Sequence, residues 1–230
     1  MLKLCRRSIS SGKAELIDQR LLPKSRLILP KETIPEELSQ NYRAAGVVPY
    51  CIVDSQPFIL LASCWHKKEK TKQWTFLGGK REFQIDESAQ ATAVREFVEE
   101  TGGSKFATDA FSFASRLSDP QLRGPVIWNH SGLYLTFFLP IQFTLLSVDW
   151  TPRLTASDLL PKNPHHEVSQ FAWTPFPALI QSLTSNSQCS FLEPISHNLI
   201  SLSPLSFILR RSLSINNVIP FLSTFLQFPR

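Results

Sequence analysis

Residues 78–103 read GGKREFQIDESAQATAVREFVEETGG, and the second half of this stretch decides how the chain folds. At roughly 100° per residue on a helix, Glu96, Glu99 and Glu100 fall within an arc of about 100°. Ala93, Val94, Phe97 and Val98 occupy the neighbouring arc, the apolar stripe of a helix packed on a core. Three carboxylates at i, i+3 and i+4 repel one another and cost stability unless a cation sits among them. Carboxylate oxygens are the ligands that hard divalent cations such as Mg²⁺ prefer, so this face is a candidate metal site. Ser88 is suited to cap the helix, with Asp86 and Glu87 beside its positive end. Gly102 and Gly103 are suited to stop it.

The spacing of these residues resembles the signature of the Nudix hydrolases, G-x5-E-x7-R-E-U-x-E-E-x-G-U, where U is a bulky aliphatic residue. Glu87, Arg95, Glu96, Phe97, Glu99, Glu100 and Gly102 fit it, and Gly78-Gly79-Lys80 fits its usual opening. Two positions depart from it. Seven residues rather than five separate Gly79 from Glu87, and Gly103 stands where the last bulky residue belongs. The longer loop leaves the helix pattern intact. A solvated acidic helix is the alternative to a metal site on these residues alone.

The rest of the chain supports the resemblance. Ala44 to Val53 reads as a mostly buried strand, Asp54 to Pro57 as a turn, and Phe58 to Trp65 as the returning strand. The following stretch, HKKEKTKQ (66–73), carries Lys67, Lys68, Lys70 and Lys72. Each lysine suits a solvated hairpin tip, and together they suit a polyanionic substrate. Trp74 to Leu77 reads as a short strand entering the glycines, with Leu77 where the family usually has proline. Phe106 to Leu117 alternates weakly and reads as strand or irregular chain. Pro125–Trp128 and Leu133–Leu139 flank a hairpin turn at 129–132, and Gln142 to Val148 extends the β region. Val168 to Trp173 leads through Thr174-Pro175 into a helix from about Phe176 to Leu183. The order Glu-Val-Ser-Gln-Phe-Ala-Trp-Thr-Pro from Glu167 is similar to the family's last strand. Glu167 is read as a surface acid or a further contact of the site, and His165 and His166 as loop residues.

A chain of 230 residues suits one core with extensions. The division expected is 1–43 as an N-terminal extension, 44–183 as the domain and 184–230 as a C-terminal extension. Hydrophobic residues make up 43% of the chain, enough for a packed interior. The net charge of +5 suits phosphate ligands and equally suits nucleic acid. Four cysteines without a C-x-x-C pair argue against a zinc knuckle and for reduced thiols inside a cell. The first fourteen residues hold four cations and three serines without an acid. They read as a frayed basic terminus of a cytoplasmic protein or as a mitochondrial targeting segment. No segment reads cleanly as a membrane span. The tail from Thr184 has no sustained period, and three readings of it compete: a helical extension packed on the domain, a membrane-surface segment around Arg210-Arg211, or poorly structured sequence.

The resemblance implies an α+β fold, a Nudix-type α/β/α sandwich with a mixed β-sheet. It implies hydrolysis of a diphosphate linkage in a nucleoside diphosphate joined to another moiety, with Mg²⁺ or Mn²⁺. By the same resemblance Glu96, Glu99, Glu100 and the Gly79 carbonyl hold the metal, and Glu99 or Glu100 handles the attacking water. Arg95 orients the carboxylates through an ion pair with Glu87, and Lys80 and Arg81 meet phosphate oxygens. Two other classes stay open: a non-catalytic module binding a nucleotide or a protein, and an RNA-end hydrolase. No RNA-binding module accompanies the motif. The family's marks for particular substrates are absent or out of register, Pro120 among them, so the substrate stays open.

Overall fold

The computed structural model describes residues 5–6, 16–17, 27–29, 34–66, 69–101, 110–141, 168–184, 189–192, 199–202, 204–213 and 218–227. Strict alternation along the strands builds the fold. In β4 (Ala44–Val53), Ala45, Val47 and Cys51 enter one apolar cluster, while Val48 and Tyr50 enter a second on the opposite face. β5 (Gln56–His66) divides likewise, with Phe58, Leu60 and Ala62 on the first side and Ile59 and Leu61 on the second. A strand buried on both faces must lie inside a layered structure.

The other elements, in chain order, begin with a short ladder of β1 (Cys5–Arg6) and β2 (Leu16–Ile17). β3 (Leu27–Leu29) and α1 (Glu36–Asn41) precede β4. After β5 come β6 (Thr71–Thr75), β7 (Leu77–Lys80), α2 (Ala89–Glu100), α3 (Ala110–Ser118), β8 (Val126–Asn129) and β9 (Tyr134–Pro140). The chain continues with β10 (Val168–Pro175), α4 (Phe176–Thr184), β11 (Ser190–Leu192), β12 (Leu199–Ser201), α5 (Phe207–Leu213) and α6 (Val218–Gln227).

The main sheet runs β10-β5-β4-β9-β8-β3, with β6 beside β5 and β7 beside β4. It is mixed: β4 and β9 are parallel, and every other pair in it is antiparallel. One edge of β4 is shared along its length. Ala44–Val47 pair with β7, and Tyr50–Val53 pair with β5. That division opens the sheet at β7, where α2 packs. Residues of α1, α2 and α3 fill the first cluster, and residues of α4, α5, α6, β11 and β12 fill the second. The result is helices on both faces of a mixed sheet, the sandwich that the resemblance implies.

The β4–β5 turn is tighter than the four residues expected. Asp54 and Ser55 alone form it, both at positive φ (49° and 64°), which is the two-residue turn whose twist matches a hairpin. A larger difference lies at 110–118, which is helical. Phe111-Ser112-Phe113 imitates a strand's alternation, but Phe113 and Leu117 are one helical turn apart and both buried. Phe113 stacks on Phe97 of α2, ring centroids 4.5 Å apart. Gln142 to Val148, Gly102, Gly103, His165, His166 and Glu167 lie outside the described residues.

Of the three readings of the tail, packing on the domain is the one that its described residues follow. Trp74 of β6 donates its backbone N–H to the Pro204 carbonyl (3.0 Å) and its indole N–H to the Ser201 carbonyl (2.7 Å). Ser206 donates its backbone N–H back to the Trp74 carbonyl (2.8 Å), and its hydroxyl caps α5 by accepting from Leu209 (3.1 Å). Leu209, Leu213, Val218, Leu222 and Leu226 are buried against the sheet. Part of the lead-in joins too, since Leu29 of β3 and Leu38 of α1 belong to the first cluster. No helix among the described residues is long and apolar enough to cross a membrane.

Candidate active site

The site forms where α2 crosses the β7 glycines. Ser88 adopts extended backbone as the N-cap, and its hydroxyl accepts from the Ala91 N–H at 3.1 Å, as the sequence suggests. Ala89, Ala93 and Phe97 are fully buried, which fixes the rotation of the helix. Its acidic face is thereby turned along β7. Glu96 lies against Gly79, so that a Cβ at Gly79 would overlap the Glu96 carboxyl group. One turn later, the Gly78 N–H donates to Glu100 Oε2 at 2.8 Å. Gly78 has φ of 152°, and a Cβ there would overlap the Ala45 carbonyl and the Tyr134 hydroxyl. The two glycines therefore serve close approach as well as backbone freedom.

Arg95 knits the helix to the loop before it. Its Nε and Nη2 donate to the two oxygens of Asp86 at 3.0 and 2.9 Å, and Nη2 also donates to the Lys80 carbonyl at 2.7 Å. Nη1 reaches Glu96 (3.0 Å), Glu99 (3.1 Å) and Glu82 (3.6 Å). This corrects the expected partner. Arg95 pairs with Asp86 rather than with Glu87, because Asp86 is turned inward and buried at 4% exposure while its neighbour Glu87 is exposed. Asp86 also accepts the Glu82 N–H at 2.7 Å, closing the 82–86 turn around its own carboxylate. The charge patterning of the sequence offers both acids to Arg95, and only the conformation of the lengthened loop selects one.

The electrostatics follow from burial and pairing. Burial opposes ionisation of Asp86, but the hydrogen bonds from Arg95 and from the Glu82 N–H outweigh it and hold the carboxyl below its usual range. The same bond to Asp86 keeps Arg95 more firmly protonated than a free guanidinium. Glu96 moves the other way. Its burial raises the carboxyl above the ordinary value despite Arg95, and the charges of Glu99 and Asp86 add to the rise. Burial, with Glu100 and Glu96 nearby, raises the Tyr134 phenol so far that it stays neutral. Nothing in the sequence marks Tyr134, which occupies an ordinary strand position.

The remaining candidates separate. Lys80 is exposed, and its side chain has no partner among the described residues, which leaves it open to an anion. Arg81 already has partners. Its guanidinium lies 4.4 Å over the Tyr42 ring and 4.9 Å from the Phe83 ring centroid, and it donates to the carbonyls of Gln40 (3.2 Å) and Asp86 (3.4 Å). These contacts hold the loop, and the expected phosphate contact of Arg81 would be made alongside them. Lys72 lies opposite Trp65, on the β5–β6 hairpin and not on β7; Lys67 and Lys68 are outside the described residues.

Whether these residues suit a divalent cation is a question of donors. Glu96, Glu99 and Glu100 are hard oxygen ligands, and the charge-crowded, half-buried Glu96 gains from a neighbouring cation. Among the described residues no three acidic, histidine or cysteine side chains already converge as a metal cage. Mg²⁺ typically takes one or two carboxylates together with water and substrate phosphates rather than a protein cage, so the donor set fits it.

The NUDIX domain family model matches residues 42–190. No curated protein matches the chain. Similar solved structures include the NUDIX domain of Shewanella oneidensis NrtR complexed with ADP ribose, at 14% identity over 65% of this chain and 82% of that one, with a TM-score of 0.34. They also include the M. smegmatis Nudix hydrolase RenU, at 15% identity over 82% and 91%, with a TM-score of 0.37. A C. elegans Ap4A hydrolase is similar at 19% identity over 61% and 84%, with a TM-score of 0.33. With the family model spanning well over half of its 230 residues, the chain belongs to the Nudix family.

Proposed function

We propose that this chain is a divalent-metal-dependent hydrolase that cleaves the diphosphate linkage of a nucleoside diphosphate joined to another moiety. The observation that carries the reading is the acidic face of α2 held against Gly78 and Gly79, with Glu96 on one glycine and Glu100 on the other. Glu96, Glu99 and Glu100 are the residues to hold Mg²⁺ or Mn²⁺, with the Gly79 carbonyl as a further ligand. When bound, such a cation offsets the charge of the phosphate oxygens and eases deprotonation of the attacking water.

The chain's own groups do the rest. Arg95 keeps Glu96 and Glu99 on one side of α2 and ties the loop to the helix through Asp86. Glu99, the more exposed of the two α2 acids paired to Arg95, accepts the proton of the attacking water, with Glu100 as the alternative base. A new oxygen–phosphorus bond forms, the bridging oxygen–phosphorus bond breaks, and the departing phosphate carries off the electron pair. Lys80 supplies a positive charge to the bound phosphates.

The test is a substrate panel (ADP-ribose, dinucleoside polyphosphates, nucleotide sugars and nucleoside triphosphates) with Mg²⁺ or Mn²⁺, for the parent, Glu99→Gln and Glu100→Gln. Loss of one such ligand is expected to cost on the order of 10³-fold in rate. Undiminished activity in both variants sinks the assignment. A non-catalytic nucleotide-binding module is the second reading. It is favoured by one observation, that a single Arg95 nitrogen already reaches both Glu96 and Glu99, at 3.0 and 3.1 Å. Under that reading the parent binds panel members and turns none over.

A further inference from the structure

The loop lengthened between Gly79 and Glu87 carries two exposed apolar side chains, Phe83 at 62% and Ile85 at 58% exposure. Exposed apolar residues on a loose loop mean little, but this turn is closed on itself. The Ile85 and Asp86 N–H groups donate to the Glu82 carbonyl (3.1 and 2.8 Å), the Glu82 N–H donates to Asp86, and Asp86 is bound by Arg95. Phe83 is thus held in place relative to α2.

Next to it is a cation–ring stack: the Arg81 guanidinium lies over the Tyr42 ring and over the Phe83 ring, 4.4 and 4.9 Å from their centroids. Tyr42 is fully buried and its hydroxyl is bonded to Thr92 of α2 at 2.9 Å, so the stack is founded on the helix that carries the acids. Each guanidinium–ring contact is favourable, and the one to Phe83 favours a ring orientation that lies against Arg81. One face of that ring lies against Arg81, while the residue keeps 62% of its surface exposed. The stack also begins next to the acids: Glu82, adjacent to Phe83, lies 3.6 Å from the same Arg95 nitrogen that holds Glu96 and Glu99.

We propose that the outer face of Phe83, bordered by Ile85, is the platform on which the nucleobase of the substrate stacks. The inference rests on the proposed function and adds the subsite for the base. A flat π-face beside Glu82, which shares an Arg95 nitrogen with the proposed metal-binding acids Glu96 and Glu99, fits a ligand with a polyanionic and a planar aromatic end. Stacking tolerates every base because each has a π-face.

The experiment is isothermal titration of the full chain with ADP, GDP, CDP and UDP, and in parallel with inorganic pyrophosphate, each with Mg²⁺. Phe83→Ala is expected to weaken all four nucleotides on the order of ten- to a hundred-fold and the purines most. Pyrophosphate is expected to bind as before, and Phe83→Trp is expected to retain or tighten the nucleotides. Equal weakening of pyrophosphate and nucleotides by Phe83→Ala overturns the proposal, because Phe83 then serves only the loop. Unchanged nucleotide binding in Phe83→Ala overturns it while leaving the phosphate site standing. A parent chain that binds neither pyrophosphate nor nucleotides overturns the phosphate site and the base platform together.

Discussion

Replacing Asp86 by alanine is expected to destabilise the protein much more than replacing its neighbour Glu87. Asp86 accepts two charge-assisted hydrogen bonds from Arg95, at 3.0 and 2.9 Å, and one from the Glu82 N–H at 2.7 Å. Bonds to charged groups contribute about 1.5–3 kcal/mol each, and breaking a buried pair costs about 3–5 kcal/mol. Arg95 keeps Glu96, Glu99 and Glu82 as partners, which places the loss for Asp86→Ala near the lower end, about 3 kcal/mol. Glu87 is exposed and has no partner among the described residues, so Glu87→Ala is expected within about 0.5 kcal/mol of the parent. Urea unfolding at neutral pH measures both. The pH dependence gives a second reading. The folded Asp86 carboxyl titrates below its unfolded value of about 3.9, so its stabilisation is fully present above that value. It is lost as the pH falls below that value and through the folded one, and the gap between the parent and Asp86→Asn is expected to narrow there. If Glu87→Ala costs as much as Asp86→Ala, the reasoning about the loop anchor is refuted.

Two further outcomes follow from the packing. Gly79→Ala places a Cβ into the Glu96 carboxyl group, so that the acid must move. Hydrolysis is expected to fall on the order of 10²-fold or more at a stability cost of about 1–3 kcal/mol, measured by initial rates and thermal melting; full activity contradicts the placement. Truncation after residue 202 removes Leu209, Leu213, Val218, Leu222 and Leu226, all buried against the sheet. At about 1.5–3 kcal/mol each, this is on the order of 10 kcal/mol, as large as a typical domain's stability. The truncated chain is therefore expected to be unfolded or insoluble, and a soluble form with the parent's melting temperature would show the tail to be dispensable.

The core of the fold was legible because its signals are local. Ala44–Val53 is an uninterrupted apolar run, and α2 carries its own cap, stripe and acids between Ser88 and Glu100. The strand and helix that end the expected 44–183 domain, Val168–Pro175 and Phe176–Thr184, follow from a β-rich run ending in Thr-Pro. What escaped depends on contacts distant in sequence. The α3 helix is selected by the Phe113–Phe97 stack, while its sequence imitates a strand. The tail has no period of its own, since Trp74 of β6 and the second face of the sheet organise it. At the site, the carboxylate face could be read from spacing alone. The choice of Asp86 over Glu87 and the placing of the Arg81 guanidinium over the Tyr42 and Phe83 rings depend on loop conformation, which charge patterning leaves undetermined.

The central claim is that the acidic face of α2 binds a divalent cation. Titration of the intact protein with Mn²⁺, followed by the electron paramagnetic resonance signal of the free ion, tests it without reference to any substrate. The parent is expected to remove Mn²⁺ saturably from solution, with Mg²⁺ competing, and Glu96→Gln and Glu100→Gln are each expected to weaken that uptake at least ten-fold, about 1.4 kcal/mol. Uptake that is unchanged in both variants, or no saturable uptake by the parent, would contradict the metal site.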